Sequence, residues 1–145
     1  MRIAKHAYLA LAVSFAATAS AEELIQATMY KMPNCTCCEG HAEHLRANGF
    51  NVEIKEVADL TPIRQAENVP SHLAGCHTIV IDDYAVEGHV SAGTIKRFLT
   101  ERPDGVDGIA MPGMPTGVPG MAGPKEGPID VFAFGDGAAS LFAVE

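Results

Sequence analysis

Leu24-Ile25-Gln26-Ala27-Thr28-Met29-Tyr30-Lys31-Met32-Pro33-Asn34-Cys35-Thr36-Cys37-Cys38 is the stretch on which the fold turns. From Leu24 to Met32, Ile25, Ala27 and Met29 recur at period two with Tyr30 opposing them, the pattern of a strand with one buried face. Pro33-Asn34 breaks the strand. Between Cys38 and Asn48 the apolar positions Cys38, Ala42 and Leu45 fall at helical spacing, and Gly49 suits the left-handed position that closes a helix. A strand therefore enters a helix through a turn that holds three cysteines.

Outward from there, Asn51 to Val57 alternates as a second strand, and Thr61-Pro62 caps a short helix reaching about Asn68. Thr78-Ile79-Val80-Ile81 reads as a buried strand, Asp82-Asp83 as a turn and Tyr84-Ala85-Val86 as its return. Ser91 caps a last helix with Ile95, Phe98 and Leu99 on its apolar face, and Arg102-Pro103 stops it. The order β-α-β-α-β-β-α is thioredoxin-like: a parallel crossover unit followed by an antiparallel hairpin backed by a helix.

From Pro103 to Pro128, seven glycines and six prolines fill half of the positions, so regular structure is not expected there. Ile129 to Phe134 and Leu141 to Val144, separated by Gly135-Asp136-Gly137, read as a terminal hairpin. The resulting organisation is a leader over residues 1–21, a thioredoxin-like α/β domain over 22–103, and a Gly/Pro/Met-rich loop with a C-terminal hairpin, packing on the domain, over 104–145.

The leader rests on Arg2, Lys5 and His6 ahead of an apolar run from Tyr8 to Ala17, with the small-residue cleavage site Ala19-Ser20-Ala21. Its removal leaves 8 basic against 18 acidic residues, which argues against nucleic acid and anionic lipid as partners. No later segment is apolar enough to span a membrane. The expectation is a soluble, exported protein of the periplasm whose four cysteines meet an oxidising compartment.

Cys35-Thr36-Cys37-Cys38 sits where thioredoxin-like enzymes carry their CxxC, at a helix amino terminus whose positive potential favours thiolate, the form that attacks disulfides and binds metals. Cys35 as attacking thiol and Cys38 as resolver would make a dithiol oxidoreductase, but Cys37 then offers a competing disulfide. Two structural disulfides are the plainest alternative, against which three cysteines in four positions weigh. By analogy with glutaredoxin-like folds, His77 takes the slot of the proline before the third strand and Cys76 precedes it, so both face the Cys35–Cys38 turn.

Four sulfurs in one small volume favour a metal. Adjacent Cys37 and Cys38 suit a single tetrahedral zinc poorly, although zinc stays an alternative. Soft crowded thiolates suit Cu(I), with each sulfur bridging two ions. His77 and His89 are candidate ligands at the mouth, as are the thioethers of Met111, Met114 and Met121 in the Gly/Pro-rich loop. His41 and His44, at i and i+3 on the first helix, are expected to be solvated, and His72 to be a loop residue.

Taken together, Tyr30 to Cys38, His44 to Phe50, Gly75-Cys76-His77-Thr78, Glu87-Gly88-His89-Val90, and Pro112-Gly113-Met114-Pro115 through Pro119-Gly120-Met121 resemble the CopG-type periplasmic copper-resistance proteins, a thioredoxin-like family. The resemblance spans nearly the whole mature chain. It implies copper handling, with Cys35, Cys37, Cys38 and Cys76 as thiolate ligands of a multinuclear Cu(I) cluster that could also carry redox chemistry. Copper ions and other periplasmic copper-handling proteins are the partners it implies; a single chain and a homodimer sharing one cluster both stay open.

Overall fold

The alternation that begins at Ile25 forms strand β1 (Ile25–Lys31), and the helix after the cysteine turn is α1 (Thr36–Ala47). These come from a computed structural model that describes residues 23–145, so the leader expected over 1–21 lies outside the described residues. The chain continues through β2 (Phe50–Glu56), α2 (Thr61–Ala66), a 3-10 turn (Ser71–Leu73), β3 (Thr78–Ile81), β4 (Tyr84–Glu87), α3 (Ala92–Glu101), β5 (Val106–Ala110), β6 (Asp130–Gly135) and β7 (Ser140–Val144). All seven strands form one sheet in the order β2-β1-β3-β4-β5-β6-β7. The α/β, thioredoxin-like order read from the sequence is its first part.

β1 pairs in parallel with β2, Ile25 opposite Phe50 through Lys31 opposite Glu56, and antiparallel with β3, Met29 opposite Ile79. Ala27, Met29, Phe50, Val52, Ile79 and Ile81 therefore share one face. On it lie the buried stripes of α1 (Cys38, His41, Ala42, Leu45) and α3 (Ala92, Ile95, Phe98). Each fully buried Leu, Ile or Phe there contributes roughly 1.5–3 kcal/mol. A smaller core of Val69, Leu73, Ala85, Ala110 and Phe134 forms a separate cluster. Val86 and Ala85, like Ile109 and Ala110, are neighbours in sequence that serve different cores, as side chains on opposite sides of a sheet must.

Strand β5 corrects the expectation that no regular structure lies between Pro103 and Pro128. It pairs in parallel with β4 and antiparallel with β6, so α3 becomes the crossover of a second β-α-β unit. Gly108 hid the strand from the alternation and also permits it. A Cβ there would lie 2.1 Å from the Ala85 carbonyl oxygen and 2.7 Å from the Phe134 ring. The rest of the stretch has no regular structure but is anchored: Gly113 N–H donates to the Ala74 carbonyl at 3.1 Å, and Val118 is buried in the core. Gly120 lies against α1, where a Cβ would come within 2.4 Å of the Cys37 carbonyl oxygen.

At the other helix ends, the Ser91 hydroxyl caps α3 by accepting from Thr94 N–H, as the sequence implied. Thr61 is the first residue of α2 rather than its cap, and the Asp59 carboxylate accepts from its N–H at 2.8 Å. Among the described residues no helix is long and apolar enough to cross a membrane.

Candidate metal centre

The turn between β1 and α1 is set by Asn34, whose φ of 62° is one that asparagine tolerates better than most residues. It delivers Cys35 to the cap position of α1, and Cys37 and Cys38 to its first turn. Cys76 arrives from the turn before β3, and its Sγ lies 3.2 Å from that of Cys35 and 3.4 Å from those of Cys37 and Cys38. Cys35 and Cys37 are 3.5 Å apart. A disulfide joins Cys35 to Cys38, leaving Cys37 and Cys76 as free thiols. All four sulfurs lie within 4.8 Å of one another. Burial, reinforced by the Cys37 contact, pushes the Cys76 thiol up to about 12. It therefore stays protonated at neutral pH, and a metal ion bound there would have to displace the proton.

The segments that bring the sulfurs together, α1 and the Cys76-His77 turn, also carry members of a second donor group. His41, His77 and His89 are all fully buried, with one ring nitrogen of each within 4.8 Å of the others. His41 Nε2 lies 2.9 Å from the Val90 carbonyl and must donate to it, which leaves Nδ1 to accept from His77 Nε2 at 2.7 Å. His89 Nδ1 donates to the Pro119 carbonyl at 2.8 Å. Those protons leave bare lone pairs on His77 Nδ1 and His89 Nε2, two buried atoms without a hydrogen-bond partner among the described residues. Desolvation lowers the His41 pKa to about 3, drops His77 well below its ordinary value and lowers His89. The three rings are thus neutral at pH 7, the form in which imidazole binds metal.

His41 corrects the expectation of a solvated residue. The spacing that buries Cys38, Ala42 and Leu45 carries His41 on the same stripe, so the signal was present and polarity masked it. His44 is half-buried, its Nε2 accepting from Ala92 N–H at 3.2 Å, and His72 is exposed. The loop methionines do not share one environment. Met111 is enclosed in the apolar core, Met121 is half-buried against it, and Met114 is 60% exposed. A surface depression of about 470 Å³ lined by Gln26, Thr28, Asn51, Glu53 and Asp82 contains no cysteine or histidine and is not the centre.

Two ionic contacts hold the cysteine-bearing segments. Lys31, buried at the end of β1, reaches Glu39 on α1 at 2.9 Å and Glu56 on β2 at 2.7 Å, and these carboxylates raise its pKa. Glu87, wholly buried on β4, accepts from Arg64, from Gly75 N–H at 2.8 Å and from the Thr78 hydroxyl at 2.6 Å. Gly88, at φ +77°, lets the chain after β5 lie close, since a Cβ on it would meet the Met111 carbonyl oxygen, and Gly75 in the Cys76 turn packs on it so tightly that a Cβ on Gly75 would sit 2.8 Å from the Gly88 Cα. Gly88→Ala is expected to destabilise the protein by about 1–3 kcal/mol through backbone strain, before any backbone shift. A urea midpoint equal to that of the unsubstituted chain would refute this.

A family described as a protein of unknown function, DUF411, matches residues 73–121, which include Cys76, His77 and His89 but not the cysteines of α1. No curated protein matches the chain. Two solved structures are similar to it. Copper resistance protein CopG, form 2, is 36% identical with a TM-score of 0.78, covering 85% of this chain and 99% of that one. Form 1 is also 36% identical, with a TM-score of 0.77, covering 85% of this chain and 98% of that one.

Proposed function

The chain belongs to the CopG family of copper resistance proteins, and on that premise we propose that it is an exported copper-handling protein that holds Cu(I) in a multinuclear cluster. The bridging ligands are the thiolates of Cys35, Cys37, Cys38 and Cys76. The observation that carries the reading is the approach of Cys76 to three other sulfurs at 3.2–3.4 Å. Four sulfurs that close cannot each be a terminal ligand of a separate ion without crowding, whereas a sulfur shared between ions accommodates them, and soft thiolate selects Cu(I). The bare nitrogens of His77 and His89 supply further ligands on the buried side, with His41 locking the His77 ring through the bond to its Nε2. Met114 and Met121 are thioether donors from the loop.

Loading requires the Cys35–Cys38 disulfide to be opened, which consumes two electrons and two protons from an external dithiol and leaves two thiols. Each thiol gives up its proton to bind copper. The same disulfide favours a second reading, a thiol-disulfide oxidoreductase using Cys35 and Cys38, since it is the pairing such an enzyme needs.

Cys37→Ser separates the two. Mature protein, reduced and loaded anaerobically with Cu(I), is expected to retain more than one copper per chain against a zinc challenge, and the Cys37→Ser protein to retain fewer. Full copper stoichiometry in the variant would end the bridged-cluster reading. Insulin reduction that persists without metal and without Cys37 would establish the oxidoreductase instead.

A further inference from the structure

Arg64, partly exposed, and Glu87, wholly buried, form an ion pair that hydrogen-bonds to no side chain of either donor group. Glu87 Oε1 accepts from Arg64 Nε at 2.9 Å, from Arg64 Nη2 at 2.6 Å and from Gly75 N–H at 2.8 Å, while Oε2 accepts from the Thr78 hydroxyl at 2.6 Å. Arg64 Nη2 also donates to the Gly75 carbonyl at 2.9 Å. Both peptide groups of Gly75 are therefore gripped on one flank of Cys76. On the other flank Thr78 is held by its side chain, and the His77 carbonyl accepts from Gly88 N–H at 2.9 Å.

The pair is a poor source of stability, because the cost of desolvating the enclosed Glu87 carboxylate offsets most of its attraction to Arg64. Glu87 is fully enclosed, yet every hydrogen bond of its carboxylate runs to Arg64 or to the segment Gly75 to Thr78. In that turn the two donor groups meet at adjacent residues, with Cys76 among the sulfurs and His77 among the imidazoles.

We propose that Arg64 and Glu87 are positioning residues: an ionic clamp on Gly75 to Thr78 that fixes Cys76 Sγ against the other sulfurs and His77 Nδ1 in its buried pocket at once. One segment thereby holds a member of the sulfur group and a member of the imidazole group together. The copper consequence rests on the proposed function; the geometric claim does not.

The test replaces the pair as a unit, Arg64→Met with Glu87→Met, because apolar residues of similar length in place of a buried ion pair usually preserve folding. Reduced, metal-free mature chain is treated with iodoacetamide, and modification is read at each cysteine by peptide mass mapping. Cys37 serves as the internal reference, since general loosening speeds both sites and a lost clamp speeds Cys76 selectively. The expected result is a native melting curve, a Cys76-to-Cys37 rate ratio raised about fivefold or more by local opening, and Cu(I) affinity against a chromophoric chelator lowered about 10–100-fold, as for other supports of metal ligands. A native ratio in a folded double variant overturns the proposal. If that variant does not fold, Thr78→Val, which removes one contact and keeps the ion pair, is expected to raise the same ratio, and an unchanged ratio there overturns it equally. Should the wild-type protein bind no copper, the cluster reading fails, while the alkylation ratio still decides the clamp.

Discussion

Cys76→Ser is expected to cost the protein most of its copper, lowering Cu(I) affinity by at least about 100-fold, beyond the loss typical of residues that merely support a ligand. Each of the other three sulfurs lies within 3.2–3.4 Å of Cys76, so its removal deletes the sulfur common to every close non-bonded contact but one. A serine hydroxyl is a hard donor and does not bridge Cu(I). The variant should still fold, since Cys76 is only partly buried and its turn is held by Gly75 and Thr78. It should also still form the Cys35–Cys38 disulfide, which separates a copper effect from loss of the dithiol. Metal content per chain after anaerobic Cu(I) loading, with a thiol count on the same sample, checks this. Copper retained at the wild-type level would show that Cys76 is a neighbour of the site and not a member.

The metal-free protein is expected to lose stability steeply as the pH falls below about 6.5, the pKa of an unconstrained histidine. Burial lowers the pKa of His41, His77 and His89 in the folded chain, so the unfolded chain takes up protons that the folded one refuses. Stability is accordingly full above the unfolded value and declines as the pH drops toward the folded ones, by about 1.4 kcal/mol per unit for each ring that stays neutral. For His41, lowered to about 3, this amounts to about 2 kcal/mol already at pH 5, and His77 and His89 add to it. Urea midpoints at pH 7 and pH 5 measure the difference. Equal midpoints would mean that the rings are hydrated and not enclosed. Bound copper, which requires neutral imidazole, should flatten the slope if His77 and His89 ligate it.

The sequence carried the sulfur half of the site more plainly than the imidazole half. Cysteine spacing is local: Cys35, Cys37 and Cys38 share one turn, and the register of glutaredoxin-like folds, counted back from β3, brought Cys76 to them. His41 depended on judging a polar residue against its helical position, and the position decided it, because Cys38, Ala42 and Leu45 fix which way that face points. β5 was concealed for a different reason. A strand is legible through the side chains it alternates, and Val106-Asp107-Gly108-Ile109-Ala110 gives up one of them at Gly108 so that Ala85 and Phe134 can close in. The Arg64–Glu87 clamp leaves no periodic trace at all, because it joins residues 23 apart in the chain whose only common purpose is a turn between them.

The single sheet also dictates when the site can exist. A chain made from its amino terminus presents Cys35, Cys37 and Cys38 first. Cys76 follows some forty residues later, Glu87 after that, and the Pro119 carbonyl that orients His89 comes later still. The disulfide between Cys35 and Cys38 needs only three steps of chain and so is available to the newborn protein, whereas the full sulfur group waits on Cys76 and the oriented imidazoles on Pro119 in the C-terminal third. Timing alone thus gives the early thiols a way to be occupied by each other before a metal ion can find them assembled.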